Sequence, residues 1–258
     1  MKQLLSTLFI LLIVTSCAES SEVNNAINNT SDTLAQTKPI INNEISDAQN
    51  ISFLMPNDYG ILVEDKSLLE GKQLAIFLKE NGLFCQETEL LCTPMKDEMN
   101  DQEGEMSLTQ IKSKPTLEIP FMLIYGLPNL DDATIPFYPN FKSQLMPGES
   151  MQVGDYTFTA SGKLVKTEYG ETVENYKLIL EGSKNNQSIT QTIADIPFFD
   201  DKMVTFYWAG DLDQDGLPDF FIDLSHKYSY TMSTLFLSSK AGTNELVKNV
   251  AEGASFGC

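Results

Sequence analysis

Residues 210–219 read Gly-Asp-Leu-Asp-Gln-Asp-Gly-Leu-Pro-Asp, and this stretch predicts both the local fold and the chemistry of the chain. Ca²⁺ is bound by about six to eight oxygen atoms, which a tight loop supplies from carboxylates at its first, third and fifth positions and a carbonyl at its seventh. The chain offers the carboxylates of Asp211, Asp213, Asp215 and Asp219 and the carbonyl of Leu217. Because four carboxylates this close repel one another, the stretch favours a bound cation, and its spacing favours Ca²⁺.

The surroundings of this loop predict a strand on each side. An EF-hand loop would end in a bidentate Glu, but that position is Ile222. Strand-forming residues follow at 220–224, and an apolar alternation precedes the loop at 203–208, which predicts one shared face for Val204, Phe206 and Trp208. Gly216 allows the sharp turn that a metal loop needs. The alternative is a solvated acidic turn without metal, because Asp-Gly turns are common.

Residues 209–222 resemble the Ca²⁺ loop of the integrin-type FG-GAP repeat and of the similar VCBS repeat. The resemblance implies that the Ca²⁺ ligands are Asp211, Asp213, Asp215, Asp219 and the carbonyl of Leu217. The family repeats its motif to build a β-propeller, but this chain has no second Asp-x-Asp-x-Asp-Gly, so a complete propeller is not expected. Residues 207–258 also resemble the C-terminal part of uncharacterised bacterial lipoproteins, which implies no activity.

Residues 1–16 predict an export signal. Lys2 is followed by an apolar run, residues 4–14, that is too short to span a bilayer. Residues 14–17, Val-Thr-Ser-Cys, resemble the bacterial lipobox. This resemblance implies cleavage before Cys17 and lipidation of this residue, with palmitate among the acyl chains. A membrane-anchored envelope protein, on the outer membrane, is therefore expected. The alternative is an ordinary secretory signal cut after Ala18.

The remaining chain predicts a tether and one domain. Residues 17–50 are rich in Asn, Ser, Thr and acidic side chains, which is typical of a disordered tether. Residues 51–258 predict a mainly antiparallel, β-rich α+β domain. One N-terminal helix is predicted from Ser67, which opens a capping box, to the stop signal at residues 81–82. The predicted strands include residues 156–160, 176–180, 188–193, 231–237 and 245–250.

The charge of the chain excludes nucleic acid as a partner. The formal net charge is −19, and all 17 basic residues are Lys. A protein this acidic repels phosphate backbones, and without Arg it lacks the usual bidentate phosphate clamp.

The cysteines suggest one disulfide in an exported protein. Cys85 and Cys92 lie close in sequence and are the simplest pair. Cys258 is then left over, either as a free thiol or as evidence of a different pairing.

The sequence predicts a binding or structural domain stabilised by Ca²⁺, with a protein or glycan ligand. The alternative is a Ca²⁺-dependent hydrolase of envelope polysaccharide or peptide. His226 is a candidate base, and Asp200 and Asp201 could pair with the loop aspartates as acid and base, but plain surface positions explain all three better. Trp208 and the pair at 198–199 are expected to fill the core rather than bind sugar rings.

Overall fold

The computed structural model describes residues 51–80, 82–127, 132–138, 141–168, 170–200 and 202–256. This part of the chain is mainly antiparallel β, as predicted. Its strands, β1 to β14 in order, are Ser52–Leu54, Lys72–Lys79, Gly82–Met95, Leu108–Ser113, Met122–Tyr125, Ala133–Pro136, Ser150–Val153, Tyr156–Thr167, Gly170–Lys184, Gln187–Phe198, Thr205–Gly210, Asp219–Asp223, Tyr230–Leu237 and Lys248–Phe256. The predicted export signal, the lipidated Cys17, the tether and Cys258 lie outside the described residues.

The strands form three sheets. The first contains β1 to β6, in the order β1-β5-β2-β3-β4 with β6 also paired to β3. The second is a four-stranded meander of β7 to β10, and the third is a four-stranded meander of β11 to β14. In the described part of the chain the sheets therefore number three, fewer than the roughly four blades of the smallest propellers.

The third sheet packs against both of the others, which explains why β12 is buried along its whole length. Phe220 and Ile222 join the core that the third sheet shares with the second, whereas Phe221 joins the core shared with the first. Because successive side chains of a strand point to opposite faces, β12 supplies both cores at once. The uninterrupted apolar run after the aspartate loop is thus the centre of the fold.

Strand β11 contains a β-bulge, which changes the predicted arrangement of its side chains. The pairing with β12 shifts between Phe206 and Trp208. Phe206 consequently packs against the second sheet, and Trp208 packs against the first. The expectation that these two side chains share a face is wrong, because an inserted residue reverses the alternation beyond it.

The predicted helix at residues 67–82 is also wrong. The structure has a 3-10 helix, Lys66–Leu69, capped by the Asp65 carboxylate, and then strand β2, Lys72–Lys79. The strand forms a hairpin with β3, in which Lys79 pairs with Gly82. The apolar stretch pairs as a strand because both of its faces are covered: Ile76 enters one core and Phe77 another.

Four of the predicted strands are confirmed inside longer ones, namely residues 156–160, 176–180, 188–193 and 231–237. The fifth, at 245–250, overlaps β14 only from Lys248 onward. Among the described residues, no helix is long and apolar enough to cross a bilayer.

Candidate metal centre

The aspartate loop connects β11 to β12, so the predicted strand–loop–strand unit is confirmed. It brings together one carboxylate oxygen from each of Asp211, Asp213 and Asp215, all within 4.8 Å of one another. The strands on either side pair directly, with Gly210 opposite Asp219. The two ends of the loop are thereby fixed side by side, and the intervening residues must turn back on themselves.

The backbone of the loop is turned inward by hydrogen bonds to its own aspartates. The N–H of Gly216 donates to Asp211 Oδ2 at 3.0 Å, and the N–H of Leu217 donates to Asp215 Oδ1 at 2.8 Å. Gln214 has φ of 59° and Gly216 has φ of 88°, a left-handed region that favours glycine. The turn that the sequence assigned to Gly216 is therefore present, and Gln214 adopts the same region beside it.

Asp219 has a different role from the other three aspartates. Its Oδ2 accepts hydrogen bonds from the N–H groups of Leu212, at 2.7 Å, and Asp213, at 3.3 Å. Its Oδ1 accepts from the N–H and the hydroxyl of Ser238, at 2.8 and 3.1 Å. Both oxygens are occupied, and Asp219 is not in the group whose oxygens converge. It ties the loop to the end of β13 and acts as a positioning residue.

Two serines that the sequence did not point to complete the surroundings. Ser238 Oγ lies 3.1 and 3.0 Å from the two oxygens of Asp215, and Ser239 donates to Asp213 Oδ2. Both serines follow β13, the strand paired with β12. Only the pairing of β12 with β13 brings them to the loop, so no local sequence pattern could have identified them.

Two carboxylate oxygens of the loop lack a partner. Asp211 Oδ1 and Asp213 Oδ1 are buried, and no hydrogen-bond donor among the described residues reaches either of them. In both residues the other oxygen is engaged, by Gly216 and by Ser239 respectively. A buried acceptor without a donor costs about 1 to 3 kcal/mol, and more when it is charged. The pair is therefore oriented for a cation.

The electrostatics of the loop also favour a bound cation. Burial and then the charge of Asp213 together raise the pKa of Asp219 to about 7, although the backbone hydrogen bonds that it accepts act in the opposite direction. Burial likewise raises the pKa of Asp213; the hydrogen bond from Ser239 lowers it, and the charges of Asp215 and Asp211 raise it. Both groups are harder to ionise than an ordinary aspartate, and a divalent ion at the cluster would favour their charged forms.

A groove of about 480 Å³ opens beside the loop. Strands β11 and β6 approach closely here, since a Cβ on Gly210 would lie 3.0 Å from Ile135 Cγ2 and 3.4 Å from the Pro136 carbonyl oxygen. Its lining comes from β6, the residues after it and the loop, and comprises Ala133, Thr134, Ile135, Pro136, Phe137, Tyr138, Asp211 and Gln214. One carboxylate of the candidate metal centre therefore faces an otherwise uncharged groove.

The predicted disulfide is excluded by the fold. Cys85 and Cys92 are free thiols in the same strand, β3. Seven residues of extended chain separate their Cα atoms by about 20 Å, far beyond the roughly 7 Å limit for a bridge. Cys85 is buried in the core between the first and third sheets, and burial raises its pKa to about 12.

The candidate acid–base residues are not brought to the loop. The backbone of Asp200 forms an isolated β-bridge with that of Lys227, and the N–H of Asp200 donates to the carbonyl of His226, beyond the opposite end of β12. Asp201 lies outside the described residues. The ring of His226 packs between Phe198 and Tyr230, both at 6.3 Å, and burial lowers its pKa, followed by the charge of Lys227. The alternative in which Asp200 pairs with the loop aspartates is therefore not supported.

The aromatic residues expected in the core divide between interior and surface. Phe199 and Trp208 are buried, as predicted, whereas Phe198 is 51% exposed. None of the three lines the groove beside the loop.

Comparisons with models of protein families, with curated proteins and with solved structures give no match to this chain.

Proposed function

We propose that the chain is a lipid-anchored envelope protein whose β domain binds Ca²⁺ and serves as a binding or structural module. Asp211, Asp213 and Asp215 would be the side-chain ligands, with the carbonyl of Leu217 and water completing the shell. Asp219, which the resemblance also implies as a ligand, is not in the group whose oxygens converge, and it would hold the loop through the hydrogen bonds that it accepts.

The observation that carries this proposal is the pair of buried, unpartnered oxygens on Asp211 and Asp213 beside the carboxylate of Asp215. All the proposed donors are oxygen atoms, which suits a hard cation. Ca²⁺ is favoured over Mg²⁺, because a loop of carboxylates on a flexible backbone accommodates longer and more numerous bonds more easily than a tight octahedron does.

Calcium should raise the stability of the full chain by about 1 to 3 kcal/mol when its concentration is ten- to a hundred-fold above the dissociation constant. The constant itself is expected at about 10⁻⁴ to 10⁻³ M, as in extracellular modules, because the loop lacks the Glu of an EF-hand. Scanning calorimetry with Ca²⁺ and with chelator should show the lower melting temperature in chelator. Asp213→Ala should abolish the difference.

A matched control removes one carboxylate elsewhere. Asp195 lies on β10, half exposed, and pairs with Lys177 at 2.8 Å. Asp195→Ala should keep the full response to Ca²⁺, which separates loss of a ligand from loss of one negative charge. Titration calorimetry that detects no Ca²⁺ binding to the wild-type chain at millimolar concentrations would refute the metal site.

The anchor makes a separate prediction, which rests on residues 14–17. In a bacterial host, the wild-type chain should incorporate labelled palmitate and fractionate with membranes. Cys17→Ser removes the thiol that carries the lipid, so labelling should disappear and the signal should stay uncleaved. Palmitate on the Cys17→Ser chain would contradict the lipobox, and normal cleavage after Ala18 would favour an ordinary secretory signal.

A further inference from the structure

We propose that the ion at Asp211, Asp213 and Asp215 also binds hydroxyl oxygens of a neutral saccharide that lies in the groove beside it. This inference rests on the calcium site proposed above and adds the class of ligand. The groove is the feature that connects the two, because Asp211 both belongs to the carboxylate cluster and lines the groove.

The shape and lining of the groove suit a sugar ring. Its volume of about 480 Å³ falls within the range of small-molecule sites. Phe137 and Tyr138 are half-buried and present aromatic surface beside the loop, while the exposed Gln214 offers both a donor and an acceptor. An apolar ring face can pack on the aromatic side chains while hydroxyl groups at the ring edge reach the ion.

A buried phenol also lies near the loop. Tyr156 is only 1% exposed, and its hydroxyl has no hydrogen-bond partner among the described residues. Tyr156 follows the turn at Gly154, where an added Cβ would meet Tyr138 and Pro218, so this residue lies near the loop. Burial raises the pKa of Tyr156, and the charges of Asp215 and Asp219 raise it further. This hydroxyl is closed to solvent and Tyr156 does not line the groove, so it adds an unsatisfied polar group beside the loop but no contact for the ligand.

Tyr138 connects this buried phenol with the groove. It lines the groove, and its own pKa is raised by burial and then by the charges of Asp211, Asp219 and Asp215. A Cβ on Gly154 would lie 3.1 Å from Tyr138 Cε1 and 3.2 Å from Pro218 Cγ, so the ring is held against the turn before β8. An aromatic surface is therefore fixed in place next to the carboxylates.

The charge balance disfavours an anionic ligand. Three carboxylates and one divalent ion leave a net charge of about −1 at the site, so a carboxylate ligand would be repelled at close range. The described lining of the groove contains no basic side chain that could offset this, and the chain as a whole carries −19. Hydroxyl groups can replace two waters on the ion without changing the charge, whereas an acidic peptide or uronic acid brings a further negative charge to the site.

Affinity electrophoresis of the full chain tests the proposal, with mannan, galactan, dextran or polygalacturonate in the native gel and with Ca²⁺ or chelator in the buffer. At least one of the three neutral polysaccharides should slow the chain, and chelator should remove the effect. Tyr138→Ala should weaken the retardation about tenfold, the loss expected for one aromatic contact. Gln214→Gly, which suits the left-handed backbone at this position, should weaken it as well.

The controls separate this inference from the calcium site. Tyr59→Ala removes an aromatic ring that is 83% exposed elsewhere on the surface and should leave the retardation unchanged. Titration calorimetry should show that Tyr138→Ala binds Ca²⁺ like the wild type. A chain that binds Ca²⁺ but migrates freely in all three neutral gels, or that is slowed by polygalacturonate alone, would overturn the saccharide class. A chain that binds no Ca²⁺ would overturn the metal site itself.

Discussion

Phe221→Ala is expected to lower the free energy of unfolding by about 3 to 5 kcal/mol. Phe221 has no exposed surface and lies in the middle of β12. Its ring contacts four other aromatic residues, with centroid separations of 5.2, 5.8, 5.3 and 6.5 Å to Phe53, Phe121, Tyr207 and Trp208. Removing it leaves a cavity between two sheets that the paired strands around it cannot close.

Urea unfolding of the full chain provides the measurement, with the fluorescence of Trp208 as the probe. Trp208 is the one tryptophan of the sequence, and it is buried against Phe221. Phe198→Ala is the matched control, because this ring is half exposed and should cost less than about 1 kcal/mol. Equal losses in the two variants would mean that the core between the first and third sheets does not hold the domain together.

The sequence was sufficient to predict the aspartate loop and the strand after it, because both signals are local. The spacing of the aspartates specifies the turn, and the apolar run from Phe220 specifies a buried strand. The helix prediction also rested on a local signal, but it was wrong. A short apolar run that is buried on both faces has no period of its own, and residues 81–82, Asn-Gly, are as typical of a hairpin as of a helix end.

The errors at the cysteines, at Trp208 and at the serines arise from pairing that the sequence does not display. Cys85 and Cys92 are close along the chain, but no turn brings them together, because β3 continues through both. The bulge before Trp208 moves this side chain to the other face, and no glycine or proline at this point of the sequence indicates a bulge. Ser238 reaches Asp215 only because β13 ends beside the loop.

Asp223→Ala is expected to lower the free energy of unfolding by about 3 kcal/mol, because it removes one partner of a buried ion pair. The Asp223 side chain is 3% exposed, and its Oδ2 lies 3.0 Å from Lys202 Nζ. Its Oδ1 accepts hydrogen bonds from the N–H of Ser225, at 3.0 Å, and of Met232, at 3.2 Å. The substitution leaves both N–H groups and the Lys202 ammonium, itself only 22% exposed, without this acceptor.

The pH dependence distinguishes this ion pair from a simple loss of packing. Burial raises the pKa of Asp223, but the hydrogen bonds from Ser225 and the contact with Lys202 outweigh it, so the pKa lies below its ordinary value. A depressed pKa stabilises the folded state above the unfolded pKa of about 3.9, and this stabilisation is lost as the pH falls through the folded pKa. The deficit of Asp223→Ala in urea unfolding should therefore be constant near neutral pH and shrink below about pH 4.

Asp219, whose pKa is raised to about 7, has the opposite effect on the pH dependence of stability. Its protonation stabilises the fold as the pH drops from about 7 to 4, in wild type and variant alike. Asp195→Ala breaks an exposed pair and should cost less than about 1 kcal/mol at every pH. A deficit for Asp223→Ala that stays the same down to pH 3 would show that the carboxylate contributes by packing and not through its charge.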